Sequence, residues 1–276
     1  MKAALIQLNS SDQPADNIPQ TVKFIRQAAA DGADFLLTPE VTNCVSDSRS
    51  HQQKVLNLEA DDPTLAALRA EAKALKVWLL IGSLALKTDD RDGRFANRSF
   101  MISPTGKIVA RYDKIHMFDV EISKTETYRE SDGYRPGKRA VLAHSDFGTI
   151  GMTVCYDVRF PQLHRRLAQS GAKILTGPAA FSPVSGAAHW HTLLRARAIE
   201  TGCYVFAPAQ CGSHRATTGR ARSTYGHSLA VSPWGEVLAD GGEDVGVTLV
   251  DFDLAQVDSA RRKIPSLSHD RNYTGP

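Results

Sequence analysis

The cysteines of this chain do not come in pairs. The four of them, Cys44, Cys155, Cys203 and Cys211, stand apart with no Cys-x-x-Cys spacing, which excludes a zinc knuckle and a dithiol redox motif and predicts a reducing compartment. A long apolar run is also missing. The longest, Val77 to Leu86, is broken by Gly82 and Ser83 and falls short of the ~20 residues a spanning helix needs. The apolar stretch at the N-terminus is too short for a secretory signal. Charge of one sign is scarce: 33 basic against 30 acidic residues leave +3, without the strong bias of a dedicated nucleic-acid binder. No Gly/Ser-rich or Pro-rich linker divides the 276 residues, and 42% hydrophobic with 23% charged residues excludes a disordered or fibrous chain. These absences predict a soluble cytoplasmic protein of one domain, 1–276, without nucleic-acid or membrane partners. Its length allows a core that needs no disulfide, and its charge balance suits small acidic ligands.

What is present is an alternation of strand and helix patterns. Lys2 to Leu8 alternates as a strand; Val22, Ile25 and Ala29 share a helix face that ends near Gly32; Asp34 to Thr38 reads as a short buried strand. Asp61-Asp62-Pro63-Thr64 supplies a helix start ahead of Leu65, Leu68, Ala72 and Leu75, and Val77 to Gly82 returns to strand. The same rhythm resumes with strands at 148–154, 173–176 and 203–207 and helices beginning at Pro161 and before Trp190. Tyr225 to Val231 and Val245 to Asp251 read as closing strands, Cys211 to Arg222 as a loop, and Ile264 to Pro276 as a polar tail, frayed or held by a partner. Two turns match, Ser103-Pro104-Thr105-Gly106 and Ser232-Pro233-Trp234-Gly235, each followed by a charge and two apolar residues. They predict an α/β fold of two similar halves packed sheet to sheet.

Chemistry concentrates at strand ends. Cys155 follows the strand-like run 149–154 just before a helix, where a nucleophile is exposed and the next backbone N–H groups can hold an oxyanion. A thiol needs a base and a cation to act near neutral pH. None of the nine histidines lies in a cysteine-protease context, and His189 and His191, two apart on a helix, point to different faces, against a shared metal. Glu40, at the edge of the strand ending Leu37-Thr38-Pro39, and Lys114, after another strand, are the alternatives.

The segments Leu37-Thr38-Pro39-Glu40, Tyr112-Asp113-Lys114-Ile115-His116-Met117-Phe118-Asp119 and Val154-Cys155-Tyr156-Asp157-Val158-Arg159-Phe160-Pro161, in this order, resemble those of the nitrilase superfamily of carbon–nitrogen hydrolases. The resemblance covers nearly the whole chain. It implies a four-layer α-β-β-α sandwich that forms a homodimer, a Glu40–Lys114–Cys155 triad, and Glu130, in Tyr128-Arg129-Glu130-Ser131, beside Lys114. It further implies amide hydrolysis through a thioester, with Lys114 and the Tyr156 N–H holding the oxyanion and no metal or organic cofactor. The runs 189–201, 209–212 and 225–229 look most like the branch that cleaves the γ-amide of deaminated glutathione, an anionic substrate. The loop 213–222 carries three arginines and departs from that branch by an insert, Thr217-Thr218-Gly219; Arg222 is the expected carboxylate contact and Phe181 a pocket wall. Arg159 is expected to brace the turn against Asp157, Arg197 to pair with Glu200, and the tail from about 264 to reach a dimer interface. An ω-amidase or N-carbamoyl amino acid amidohydrolase would keep the same triad. An inactive carboxylate-binding scaffold and a thiol peroxidase are the alternatives of other kinds.

Overall fold

The structure, a computed structural model, describes residues 1–123 and 126–275. The first half runs β1 (Lys2–Gln7), α1 (Pro14–Ala30), β2 (Phe35–Leu37), α2 (Arg49–Val55), α3 (Pro63–Leu75), β3 (Trp78–Leu86), β4 (Ala96–Ile102) and β5 (Ile108–Asp113). An antiparallel pair, β6 (Asp119–Ser123) and β7 (Glu126–Arg129), and the one-turn helix α4 (Glu130–Gly133) lead to the second half. That half runs β8 (Val141–Ser145), β9 (Gly148–Met152), α5 (Pro161–Gln169), β10 (Ile174–Thr176), α6 (Pro183–Thr201), β11 (Tyr204–Ala207), β12 (Cys211–Ser213), β13 (Ser223–Tyr225), β14 (Leu229–Val231), β15 (Val237–Asp240), β16 (Gly246–Asp251) and α7 (Ala255–Lys263).

Two six-stranded sheets have the same plan. Their orders are β16-β1-β2-β3-β4-β5 and β8-β9-β10-β11-β14-β15. In each, three consecutive parallel strands are flanked by antiparallel ones. The matched turns close equivalent hairpins. Gly106 N–H donates to Ser103 O (2.8 Å) between β4 and β5, and Gly235 N–H to Ser232 O (2.9 Å) between β14 and β15. Both glycines have positive φ, 76° and 87°, the left-handed region that glycine enters without a Cβ clash.

Successive side chains of the central strands join different layers. Ala4, Ile6, Leu36, Leu79 and Ile81 pack with Ile25, Ala28, Leu65, Leu68 and Ala72 of α1 and α3. Their neighbours Ala3, Leu5, Phe35, Leu37 and Leu80 join Ile150, Met152, Ile174 and Phe206 in the core between the sheets, to which Leu167 of α5 and Trp190 and Leu194 of α6 also connect. Strands buried on both faces read as unbroken apolar runs, as here. The helices start where the sequence signals: Asp62 accepts from Leu65 N–H (2.8 Å) ahead of Pro63, and α5 and α6 also begin on proline. The arrangement is a mixed α/β four-layer sandwich.

Three local expectations need correction. Tyr225 to Val231 is two strands, because Gly226 and His227 take positive φ (76° and 57°) and turn the chain from β13 into β14. The segment 211–222 is only partly loop, since β12 pairs with β13. The tail is not frayed as far as Asp270: Arg165 pairs with Asp270, and Gln169 Nε2 donates to Leu267 O (2.9 Å). Among the described residues no helix is long and apolar enough to cross a membrane.

Candidate active site

Glu40 lies just past β2 and is fixed by a break in β3. The β3–β4 register shifts between Ile81 and Leu84, where Gly82 and Ser83 turn their polar groups to the 38–41 segment. Gly82 N–H donates to Thr38 Oγ1 (3.1 Å), Ser83 N–H to Pro39 O (3.2 Å), and Val41 N–H to Ser83 Oγ (2.8 Å). A Cβ at Gly82 would lie 2.0 Å from Thr38 O, so no side chain fits. The interruption noticed in the longest apolar run is therefore the cradle of Glu40.

Cys155 follows β9 at the head of a short 3-10 turn, Cys155–Arg159, with φ 49°. A left-handed non-glycine residue stores strain that its surroundings must hold. Here Cys155 N–H donates to Pro178 O (2.9 Å), while the buried Asp157 carboxylate accepts from Val154 N–H (2.9 Å), Tyr112 Oη (2.6 Å) and His116 N–H (3.1 Å), and pairs with His116 Nδ1 (2.6 Å). Tyr112 and His116 flank Lys114, so one carboxylate ties the Lys114 segment to the Cys155 turn.

The expected residues converge. Lys114 Nζ donates to Glu40 Oε1 (2.8 Å) and to both oxygens of Glu130 (2.9 and 2.8 Å). Ala180 N–H holds Glu40 Oε2 at 2.8 Å, and Phe118 N–H holds Glu130 Oε2 at 2.6 Å. Glu40, Lys114 and Cys155 all border one cavity, and the Glu40 and Lys114 charges both act on the Cys155 thiol. Burial alone would raise the Glu40 pKa, but the Lys114 ammonium and its hydrogen bond outweigh it, so Glu40 stays below the usual carboxylate range. Burial likewise opposes the charge of Lys114, yet Glu130 and Glu40 hold it well above its ordinary value. Burial, then the Glu40 charge, push the Cys155 thiol well up. The resting pair is thus a carboxylate beside a thiol, the arrangement in which the carboxylate can take the thiol's proton as a bond to carbon forms.

The other three thiols are also buried, with Cys44 pushed up to about 12 by burial and Asp12, Cys211 to about 11 by burial and Asp244, and Cys203 raised by burial. Titration does not separate the four cysteines. The Glu40–Lys114 neighbourhood does.

These groups border a cavity of about 360 Å³. Phe118, Tyr128, Tyr134 and Phe181 supply apolar wall, and the exposed Asp47, Arg49, Arg129 and Asp132 also line it. Arg222 reaches it as expected. Its Nη2 donates to Ala180 O (2.7 Å), its guanidinium lies 5.7 Å from the Tyr128 ring, and its buried Nε has no partner. Burial works against its charge, but Asp47 and Glu40 outweigh that and keep it cationic. Phe181 lines the cavity with its ring centroid 5.0 Å from that of Trp190.

Tyr156 is different. Its ring packs against Phe118 (5.1 Å) and Phe160 (5.5 Å) and is not part of the cavity lining. Arg159 does not brace Asp157, whose oxygens are already taken by Tyr112, His116 and Val154; its guanidinium sits over Tyr156 (5.8 Å) and Phe181 (5.5 Å) and its Nη2 is 3.2 Å from His189 Nδ1. Arg197 does pair with Glu200.

Sequence reading missed Asn97, whose Nδ2 donates to Glu40 Oε1 (2.8 Å) and Glu130 Oε1 (3.3 Å). Its signal was a polar residue, 2% exposed, inside the buried strand β4. It also missed Gln210, whose Nε2 holds the Glu40 carbonyl at 3.1 Å.

The family profile described as Carbon-nitrogen hydrolase matches residues 2–262. The deaminated glutathione amidase of Yersinia enterocolitica is 38% identical over 269 residues, 97% of this chain and 92% of that protein. The deaminated glutathione amidase of Homo sapiens is 37% identical over 275 residues, 97% of this chain and 81% of that protein. Among solved structures, the C. elegans NitFhit protein superposes with TM-score 0.90 at 33% identity over 98% of this chain, which spans 65% of that longer chain. Saccharomyces cerevisiae Nit3, a member of branch 10 of the nitrilase superfamily, superposes with TM-score 0.86 at 26% identity over 99% of this chain and 97% of its own.

Proposed function

The chain belongs to the carbon–nitrogen hydrolase family, and from that premise we propose that it is a deaminated glutathione amidase working through Cys155, Glu40, Lys114 and Glu130. The carrying observation is the buried cluster in which Lys114 Nζ sits 2.8 Å from both Glu40 and Glu130, on a cavity that Cys155 also lines.

The cycle proceeds in four proton-balanced steps. Glu40 takes the thiol proton as sulfur bonds to the amide carbon, and the oxyanion is met by the Lys114 ammonium and the Tyr156 N–H. Glu40 returns that proton to the nitrogen as the C–N bond breaks, releasing cysteinylglycine and leaving a thioester. Glu40 then takes a proton from water, whose oxygen attacks the thioester carbon. The second tetrahedral intermediate collapses to 2-oxoglutarate, and Glu40 re-protonates the sulfur. Glu130 and Asn97 keep Lys114 and Glu40 in register through this sequence. Arg222, with its unpartnered Nε, receives a substrate carboxylate in the apolar part of the pocket.

This reading includes a homodimer in a reducing cytoplasm, where Cys155 stays a free thiol. Sedimentation at micromolar concentration tests the dimer: a monomer there would remove it from the reading. The activity is tested by following 2-oxoglutarate from deaminated glutathione and from 2-oxoglutaramate, and ammonia from an N-carbamoyl amino acid. The expected result is highest kcat/KM on deaminated glutathione, a Cys155 thioester mass adduct, and no turnover in Cys155→Ala. Preference for 2-oxoglutaramate or the carbamoyl substrate would reassign the substrate, and full activity of Cys155→Ala would remove the mechanism.

A further inference from the structure

Outside the cavity, the fold assembles a group that the linear sequence kept apart. His191 on α6, His227 in the turn between β13 and β14, and Asp240 at the end of β15 present ligand atoms that all lie within 4.8 Å of one another. His191 Nε2 is 2.9 Å from Asp240 Oδ2, and His227 Nδ1 is 3.0 Å from Asp240 Oδ1. The Glu243 carboxylate stands 4.0 Å from His227 Nε2, the ring nitrogen that does not face Asp240. The three side chains are 36%, 21% and 33% exposed, so an ion can reach them from solvent.

A second observation concerns how His227 is held. It is one of four non-glycine residues with positive φ among those described, at 57°, a region uncommon for any side chain although histidine enters it more often than most. The neighbours enforce it: His227 N–H donates to Gly242 O (2.6 Å), Trp190 Nε1 donates to His227 O (2.8 Å), and the Tyr225 ring stacks on the imidazole at 4.5 Å. Gly242 N–H also binds Asp240 Oδ1 (2.9 Å), fixing the carboxylate towards the imidazole. Strain maintained by the surroundings at a cluster of donors is the pattern of a binding site more than of a plain turn. His189, the other histidine of the His-Trp-His run, points away to Arg159.

We propose that His191, His227 and Asp240 form a zinc-binding site distinct from the catalytic cavity. Two imidazoles and one carboxylate suit a borderline ion such as Zn²⁺ better than Mg²⁺ or Ca²⁺, which favour all-oxygen sets. Three protein ligands leave a fourth position for water. The bound ion replaces the histidine–carboxylate hydrogen bonds and clips α6 to the β13–β15 segment. Because β13 begins one residue after Arg222, the clip also steadies the strand that delivers Arg222 to the cavity.

The test uses the full-length Cys155→Ser protein, which removes the cavity thiol beside Glu40 and Lys114 that is expected to compete, under a non-thiol reductant. ZnCl2 is titrated calorimetrically and Co²⁺ by visible absorption. One Zn²⁺ per chain is expected, with His191→Gln, His227→Asn and Asp240→Asn each weakening binding by at least the ~10–100-fold that loss of even an outer-shell partner costs. Asparagine tolerates the left-handed backbone, so His227→Asn keeps the turn, and circular dichroism of the apo variants verifies the fold. Should any one variant fail to fold, the other two decide. Absence of saturable binding, undiminished binding in the variants, or a thiolate-to-Co²⁺ charge-transfer band would overturn the site.

Discussion

Replacing Lys114 with methionine keeps the bulk of the side chain and deletes the ammonium lodged between two carboxylates, a loss the stability of the protein should register as a function of pH. Nζ lies 2.8 Å from Glu40 and 2.8 Å from Glu130, and the side chains of Lys114, Glu40 and Glu130 are 2%, 5% and 14% exposed. At an effective dielectric constant of about 20 each pair attracts by about 6 kcal/mol, and desolvation offsets most of that. Deleting one partner of such a network costs about 3–5 kcal/mol, because a buried charge is left without compensation. In the wild type the lowered pKa of Glu40 makes its contribution complete above its ordinary value of 4.5 and lost only as pH falls through the lowered one. Lys114, raised above its ordinary 10.5, contributes fully below that value and loses the contribution as pH rises through the raised one. The cluster therefore contributes a flat plateau between.

In Lys114→Met the sign reverses for the carboxylates. Burial and mutual repulsion now raise one of them above its unfolded value, so stability declines as pH rises above about 4.5, by about 1.4 kcal/mol per unit. A deficit of about 3–5 kcal/mol is then complete near pH 7–8. Guanidinium unfolding followed by circular dichroism at pH 5, 6, 7 and 8 in both proteins measures it. A gap between wild type and variant that is the same at every pH would refute the electrostatic account, as would wild-type amidase activity in the variant.

Three further outcomes are expected. Arg222→Met should raise KM for deaminated glutathione about 10–100-fold with a smaller effect on kcat, since a hydrogen bond to a charged group contributes about 1.5–3 kcal/mol; an unchanged KM in steady-state kinetics would dismiss the carboxylate contact. The pH profile of kcat/KM should lack an inflection near the ordinary histidine value of about 6.5, because the base is a carboxylate held below its usual range; an inflection there that disappears in His116→Gln would hand the role to histidine. Gly82→Ala places a Cβ 2.0 Å from Thr38 O and 2.5 Å from Pro39 O, so melting should show a loss of about 1–3 kcal/mol or more together with reduced kcat; a variant with wild-type Tm and kcat would contradict the β3 cradle.

The parts of the fold that were legible in the sequence are those encoded by local signals. Asp62-Pro63 marked the start of α3, alternation marked β1, and the two Ser-Pro-x-Gly turns revealed two sheets of one plan. The short strands β12 and β13 were not legible, because three-residue strands carry little pattern and exist through their pairing with each other. Arg159 was misassigned for a related reason. Sequence proximity to Asp157 said nothing about the Tyr112 and His116 groups, from a strand end 41–45 positions away, that had already filled that carboxylate.

The sequence by itself determined the chemical inventory: one cysteine at a strand-to-helix turn, a carboxylate and a lysine at other strand ends, and an α/β alternation that delivers strand ends to a common edge. The geometry that sets Cys155 apart from the other three buried thiols is tertiary: burial raises all of them, and Cys155 is the one whose thiol feels both the Glu40 and the Lys114 charge. Tertiary structure also decided that Asn97, Gly82 and Ala180 hold Glu40 in place, and that His191, His227 and Asp240 meet. Those relations join residues tens to more than a hundred positions apart. Such distances are closed by sheet pairing and core packing, which no local run of residues specifies.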